Sequence, residues 1–340
     1  MKLNIYLEYQ NNTKRITKNQ MKRVTLLSLL VLLTFTTKTF SQSKPDSYLE
    51  KAIAIMEQNS VNKKKIDWAK IRTEAKLENN KSNSIQDTYP IIKNILNELG
   101  DQHSGFYEPQ VVEFYLKRYK DSGLPFPYAK DSIINEKYAY ITIPAIGNLN
   151  QEDWEEYVSS FYKKIKKLEK INPKAWIIDV RENDGGMFSP MFKSIYPFLD
   201  AVNVVGSIDN SGEIGYYSNT NSNIYFNKTV IATFQTPDIK IKKKNKPIYI
   251  LTSKKTASSG EFIVASFKGQ KNVKIIGCNT QGLTSDNSEF RLTDNAILKI
   301  TTGILMDRNK TEYREIGKGI APDIQVETTD LKNYIEKITK

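Results

Sequence analysis

Residues 247–276 read PIYILTSKKTASSGEFIVASFKGQKNVKII, and the succession of residue types in that run decides the fold class. Pro247–Thr252 is a short apolar run of strand type. A polar turn follows, and Ser258–Lys268 then reads as a helix. Ser258 stands at its N-cap, with Glu261 three residues on, the spacing of a capping box. Val273–Ile276 is apolar and β-branched again. Strand, helix and strand in immediate succession point to parallel pairing and an α/β domain.

The alternation extends upstream. Tyr138–Ile143 reads as a strand. Trp154, Tyr157, Val158, Phe161, Ile165 and Leu168 mark an amphipathic helix. Ala175–Val180 is a short apolar strand, and a helix is expected near Met187–Phe198. Before this region the pattern is helical from about Asp46 to Tyr119. Ile91, Ile92, Ile95, Leu96 and Leu99 follow helical spacing and stop at Gly100, a fitting C-terminal glycine. We therefore expect a helical N-terminal domain over 46–120, an α/β core over 132–328 and a C-terminal helix over 329–340. Residues 206–246, rich in Asn, Ser, Thr, Tyr and Lys, read as an irregular or β-hairpin insertion.

At 340 residues, 39% hydrophobic and 26% charged, the chain has the balance of a globular protein, not a disordered one. Its formal charge is +12, but residues 1–41 hold seven Lys/Arg against the single acid Glu8, leaving +6 for the rest. That excess calls for no nucleic-acid partner. Lys242–Lys244 read as a solvated loop face. Lys22-Arg23, the apolar Val24–Thr37 and the small residues around Phe40 form the pattern of a signal peptide over 1–41, with Gln42 as the new N-terminus. Met21 directly precedes this pattern, so residues 1–20 read as an upstream mis-start. The apolar run is shorter than the roughly 20 residues of a membrane span. The expectation is an exported protein, periplasmic or extracellular, without stable membrane insertion. Cys278 is the only cysteine, so no intramolecular disulfide forms. One histidine, one cysteine and no dense carboxylate cluster supply no familiar ligand set, so no metal and no cofactor are expected.

Four segments carry candidate chemistry, and each also has a plain structural explanation. Ser258 is a helix cap, or a nucleophile whose helix N-terminus favours developing negative charge. His103, the lone histidine, follows the Gly100 stop in Gly100-Asp101-Gln102-His103-Ser104-Gly105. It is a structural loop residue or a general base, since its ordinary pKa lies near working pH. Asp179-Val180-Arg181-Glu182-Asn183-Asp184-Gly185-Gly186 leaves an apolar strand through a glycine pair. That is a tight turn, or one aiming an N–H at an oxyanion. Glu315, ahead of Gly317, Gly319 and Pro322-Asp323, is a loop carboxylate or the orienting member of a triad.

Taken in order, these segments resemble the tail-specific (C-terminal processing) serine peptidase family, in the branch that includes the tricorn protease core. The resemblance spans His103 through Asp323 and implies a crotonase/ClpP-like ββα core. It implies Ser258, three positions before Glu261, as nucleophile in preference to Ser259. It further implies His103 as base, Glu315 as third member, and an oxyanion hole from the N–H groups of Gly185 or Gly186 and of Ser259. The commoner branch of the family uses a serine–lysine dyad. Here Gly277-Cys278-Asn279-Thr280-Gln281-Gly282 aligns with the lysine-bearing turn, and the lysine position is Leu283, so the triad reading remains. Many members also carry a PDZ domain, for which the roughly 30 residues between Phe106 and Tyr138 are too few. The implied function is an exported endopeptidase acting on proteins or peptides through an acyl-enzyme on Ser258. The alternatives are a non-catalytic peptide- or ligand-binding member of the fold, a Cys278–His103 thiol hydrolase, and Lys254 or Lys255 as the base.

Overall fold

The computed structural model describes residues 45–339 except 238, 243, 244 and 329; the segment read as a signal peptide lies outside them. Three helices come first: α1 (Pro45–Asn59), α2 (Trp68–Asn79) and α3 (Tyr89–Glu98). Their apolar residues at three- and four-residue spacing meet in one cluster, including Tyr48, Ile53, Met56, Ile71, Ile92 and Leu96. Asp67 caps α2 by accepting the Lys70 N–H at 3.0 Å. Gly100 follows α3 at φ +66°, a left-handed stop.

Next come β1 (Gly105–Tyr107), α4 (Pro109–Leu116), α5 (Tyr119–Ser122), β2 (Asp131–Ile134), β3 (Tyr138–Thr142), α6 (Gln151–Glu169), β4 (Ala175–Asp179) and α7 (Phe188–Ile195). A meander of β5 (Asn203–Asp209), β6 (Ile214–Asn219), β7 (Asn223–Phe226) and β8 (Thr229–Thr233) follows. The chain closes with β9 (Ile248–Thr252), α8 (Ser259–Phe267), β10 (Val273–Gly277), β11 (Ser285–Arg291), β12 (Ile297–Asp307), β13 (Ile324–Gln325) and α9 (Leu331–Thr339). No helix among the described residues is long and apolar enough to cross a membrane.

The strands form two sheets among the described residues. The first has the order β13-β10-β9-β4-β3-β2. Its members run parallel except β2, which pairs antiparallel with β3. Every residue of β4 is buried. Trp176 and Ile178 pack with α6, α7 and α8, whereas Ile177 faces Tyr334 and Ile338 of α9. Cover on both faces is why β4 and β9 read as unbroken apolar runs.

The second sheet is antiparallel in the order β1-β12-β5-β6-β7-β8, with β11 along the other edge of β12. Its Leu298 and Ile300 close the core of the N-terminal helices, and its Val204, Val205 and Leu305 join the core around α7 and α8. The stretch expected to be irregular or a hairpin is mostly this meander. One face packs, through Ile224 and Ala232, and the other is wetted, so its composition reads as polar.

Candidate active site

β4 and β9 are parallel neighbours, with Asp179 opposite Leu251. Their C-terminal ends therefore release two turns side by side, one carrying Gly185 and Gly186, the other Ser258. The Ala257 N–H donates to the Asn183 carbonyl at 3.0 Å and stitches the turns together. Ser258 has φ +51° and ψ −122°, an uncommon conformation for a residue with a side chain. It resembles the strained elbow that presents a nucleophile at a strand-to-helix turn and costs about 1–3 kcal/mol.

Glu261 holds that elbow. Its carboxylate accepts the Ser258 N–H at 2.9 Å, the reciprocal half of the capping box. It also accepts the Gly282 N–H at 2.8 Å and the Thr280 hydroxyl. Burial pushes this carboxyl group's pKa up, against the lowering effect of those hydrogen bonds. The capping explanation and the nucleophile explanation of Ser258 therefore describe the same geometry.

His103 arrives from the other side, on the connection between α3 and β1. Asp101 shapes this loop by accepting the N–H groups of His103 and Ser104 at 3.0 and 2.7 Å and the Ser104 hydroxyl at 2.7 Å. Ser104 Oγ in turn accepts the Thr301 N–H at 2.9 Å, which ties the loop to β12. His103 Nε2 then lies 3.0 Å from Ser258 Oγ. Nδ1 faces Ser285 Oγ at 2.7 Å, and Asn287 Nδ2 sits 3.1 Å from Nδ1 and 3.3 Å from Nε2. Burial pushes the imidazole pKa down to about 4, helped by the charge of Lys299 and opposed by that of Asp101.

The glycine turn divides its labour. Gly185 donates its N–H to Asn183 Oδ1 at 3.0 Å, so that group is already engaged. Gly186 bridges to Ile146 and accepts the Ser259 hydroxyl at 2.7 Å through its carbonyl. Among the described residues, the N–H groups of Gly186 and Ser259 have no hydrogen-bond acceptor. Upstream in the same motif, Arg181 grips both oxygens of Asp179, stacks over Tyr334 and does not line the cleft around Ser258.

Glu315 stands apart from the serine and the histidine. Its side chain is 72% exposed and paired with Lys318 at 2.7 Å, and it does not line the cleft around Ser258. The structure does not bring it to His103; Ser285 and Asn287 of β11 stand there instead. Neither lysine near the serine turns toward it. Lys255 pairs with Glu182 at the surface, and Lys254 reaches the Thr280 carbonyl. Leu283, at the dyad-lysine position, lines the cleft. Cys278 is half-buried beyond the cleft lining, and its carbonyl accepts the Thr252 hydroxyl.

The cleft encloses about 500 Å³. Tyr107, Val112, Tyr115, Leu149, Phe188, Tyr217, Ile231 and Phe262 give it a largely apolar wall beside Ser258. Phe188 stands edge-on to Tyr217 and to Phe262, with ring centroids 5.0 and 5.6 Å apart. The Ser258 hydroxyl, the His103 imidazole and an apolar groove thus open onto one space.

Residues 137–326 match peptidase family S41. The nisin-resistance protein of Lactococcus lactis subsp. lactis is 28% identical over 83% of this chain and 83% of its own length. A structure of a lipoprotein from Streptococcus agalactiae superposes with a TM-score of 0.69 at 27% identity, covering 87% of this chain and 96% of that one. The photosystem II D1 C-terminal processing protease superposes with a TM-score of 0.58 at 15% identity, over 85% of this chain and 95% of that one, a likeness of fold. The chain belongs to peptidase family S41 and is a serine-type peptidase.

Proposed function

We propose that this protein is an exported endopeptidase that cleaves peptide bonds through an acyl-enzyme on Ser258, with His103 as general base. The approach of Ser258 Oγ to His103 Nε2 at 3.0 Å carries the reading. His103 takes the hydroxyl proton as Oγ attacks the carbonyl carbon. The Gly186 and Ser259 N–H groups receive the oxyanion at the N-terminus of α8. The C–N bond breaks as the imidazolium returns its proton to the leaving amine, and water then hydrolyses the ester with His103 again as base. Gly185 supports the turn without donating, and Glu315 stands outside the machinery.

Export is supported by the charge and apolar pattern of residues 1–41, and by similarity to a streptococcal lipoprotein and to a nisin-resistance protein. An envelope or extracellular location follows from the same likeness. The latter relative, named for resistance to nisin, favours a peptide as substrate. Between β1 and β2 the chain places only the short helices α4 and α5, so substrate selection falls to the cleft itself.

Labelling with a fluorophosphonate and digestion of casein test the proposal together. The wild-type protein is expected to react with the probe. Ser258→Ala and His103→Ala are each expected to lower cleavage by roughly 10⁴-fold or more. Casein cleavage by Ser258→Ala at the wild-type rate removes Ser258 from the mechanism. A folded wild-type protein inert to the probe turns the reading toward a peptide-binding member of the fold.

A further inference from the structure

The chemistry just described requires the two nitrogens of His103 to be in opposite states. Nε2 must offer a lone pair to the Ser258 hydroxyl, so Nδ1 must carry the proton. A buried N–H needs an acceptor. Asp101, the carboxylate on the same loop, spends its oxygens on the N–H groups of His103 and Ser104 and on the Ser104 hydroxyl. Asn287 Oδ1 accepts the Thr301 hydroxyl at 3.0 Å, which leaves its NH₂ group facing the ring. An amide donor cannot bond a protonated Nδ1. Ser285, on the buried start of β11, remains: its backbone carbonyl also faces the imidazole, and its Oγ, 2.7 Å from Nδ1, is the atom at hydrogen-bond distance.

We propose that Ser285 is the positioning residue of the base: its hydroxyl accepts the Nδ1 proton and fixes the tautomer whose Nε2 lone pair faces Ser258. This rests on the reading of Ser258 and His103 as nucleophile and base. A hydroxyl orients the ring as a triad carboxylate does, but it brings no charge to offset the imidazolium. The charged groups around the ring are Asp101 on its own loop, Lys299 on β12, Asp286 and Glu289 on β11, and Asp184 on the glycine turn. None of these carboxylates is hydrogen-bonded to Nδ1, so the orienting role belongs to a neutral group.

The test is steady-state kinetics from pH 4 to 9 on Ser285→Ala, Ser285→Thr and Ser285→Asp, with Ser258→Ala alongside. Ser285→Ala is expected to lose about 10- to 100-fold in kcat with little change in KM, less than the roughly 10⁴-fold of a triad disrupted at its carboxylate. Ser285→Thr keeps the hydroxyl and should recover most of the rate. Ser285→Asp places a negative charge beside Nδ1 and should raise the low-pH limb of kcat/KM by roughly one to three units. Wild-type kcat in Ser285→Ala, a threonine variant as slow as alanine, or an unmoved limb in Ser285→Asp would each overturn the proposal. The limb of Ser285→Asp decides the matter even where Ser285→Ala fails to fold. Activity remaining in Ser258→Ala instead sinks the parent reading, whatever the Ser285 variants do.

Discussion

Ser258 Oγ and His103 Nε2 lie 3.0 Å apart although 155 positions separate them in the chain. Each is delivered by a different sheet. Ser258 leaves the end of β9 in the parallel sheet, and His103 precedes β1, which pairs with β12 in the antiparallel one. The pair therefore depends on how the two sheets are seated, and no local stretch of sequence contains it. That seating buries the imidazole, and burial sets how it titrates.

The low-pH limb of activity should consequently lie near pH 4 to 5. A base works only when neutral, and burial together with Lys299 brings the imidazole pKa down to about 4 from its ordinary 6.5. Activity is then retained as pH falls through 6.5 and is lost as pH approaches 4. The sign for stability is the same. The folded pKa is depressed, so this contribution is complete above 6.5 and is lost progressively as pH falls toward 4. Profiles of kcat/KM, with circular dichroism confirming the fold at each pH, check this. A limb centred at 6.5 or above would falsify it.

Glu315→Ala should leave kcat and KM within about twofold of wild type. The carboxylate is exposed and, among the described residues, paired with Lys318 three residues on, and exposed pairs are worth about 0–1 kcal/mol. A loss of 10³-fold or more would restore Glu315 as a partner of the histidine and would require the loop at 315–319 to move in solution.

Gly185→Ala should damage the site more than the fold. Gly185 has φ +119°, and a Cβ there would stand 2.9 Å from Ser258 Cβ. The serine must shift, and a displacement of about 1 Å can cost on the order of 10² in rate. Fluorophosphonate labelling compared with the wild-type rate reads this directly. Unchanged labelling in a folded Gly185→Ala protein would show that the elbow tolerates the side chain.

The legibility of these parts differs for physical reasons. β4 and β9 are covered on both faces, so they print an apolar run that can be read one residue at a time. Ser258 leaves a local trace because the helix it starts needs a cap. β11 leaves none: Ser285, Asp286, Asn287 and Glu289 line the cleft, and this stretch carries no apolar alternation. Ser285 and Asn287 share a face of that strand, and only the register of β11 against β12 sets them beside His103. Glu315 stands at a suggestive place in the chain order. Its direction is set by the ion pair within its own turn, and chain order does not encode that.

Arg181 is the converse case, a motif residue whose place in the structure is architectural. Its guanidinium binds Asp179 through two nitrogens and lies 4.7 Å from the centroid of the Tyr334 ring. Tyr140 adds its hydroxyl to the same carboxylate at 2.6 Å, and the Tyr334 hydroxyl donates to the Thr252 carbonyl at 3.1 Å. The network fastens α9 to the strand ends that carry the site. Both charges are largely buried, with side chains 13% and 6% exposed. Removing the arginine leaves Asp179 with no cation, a loss of about 3–5 kcal/mol. Arg181→Ala should therefore lower the denaturant midpoint sharply, while kcat per active site, counted by fluorophosphonate titration, stays close to wild type. A stable Arg181→Ala protein with a collapsed kcat would instead place the guanidinium in the chemistry.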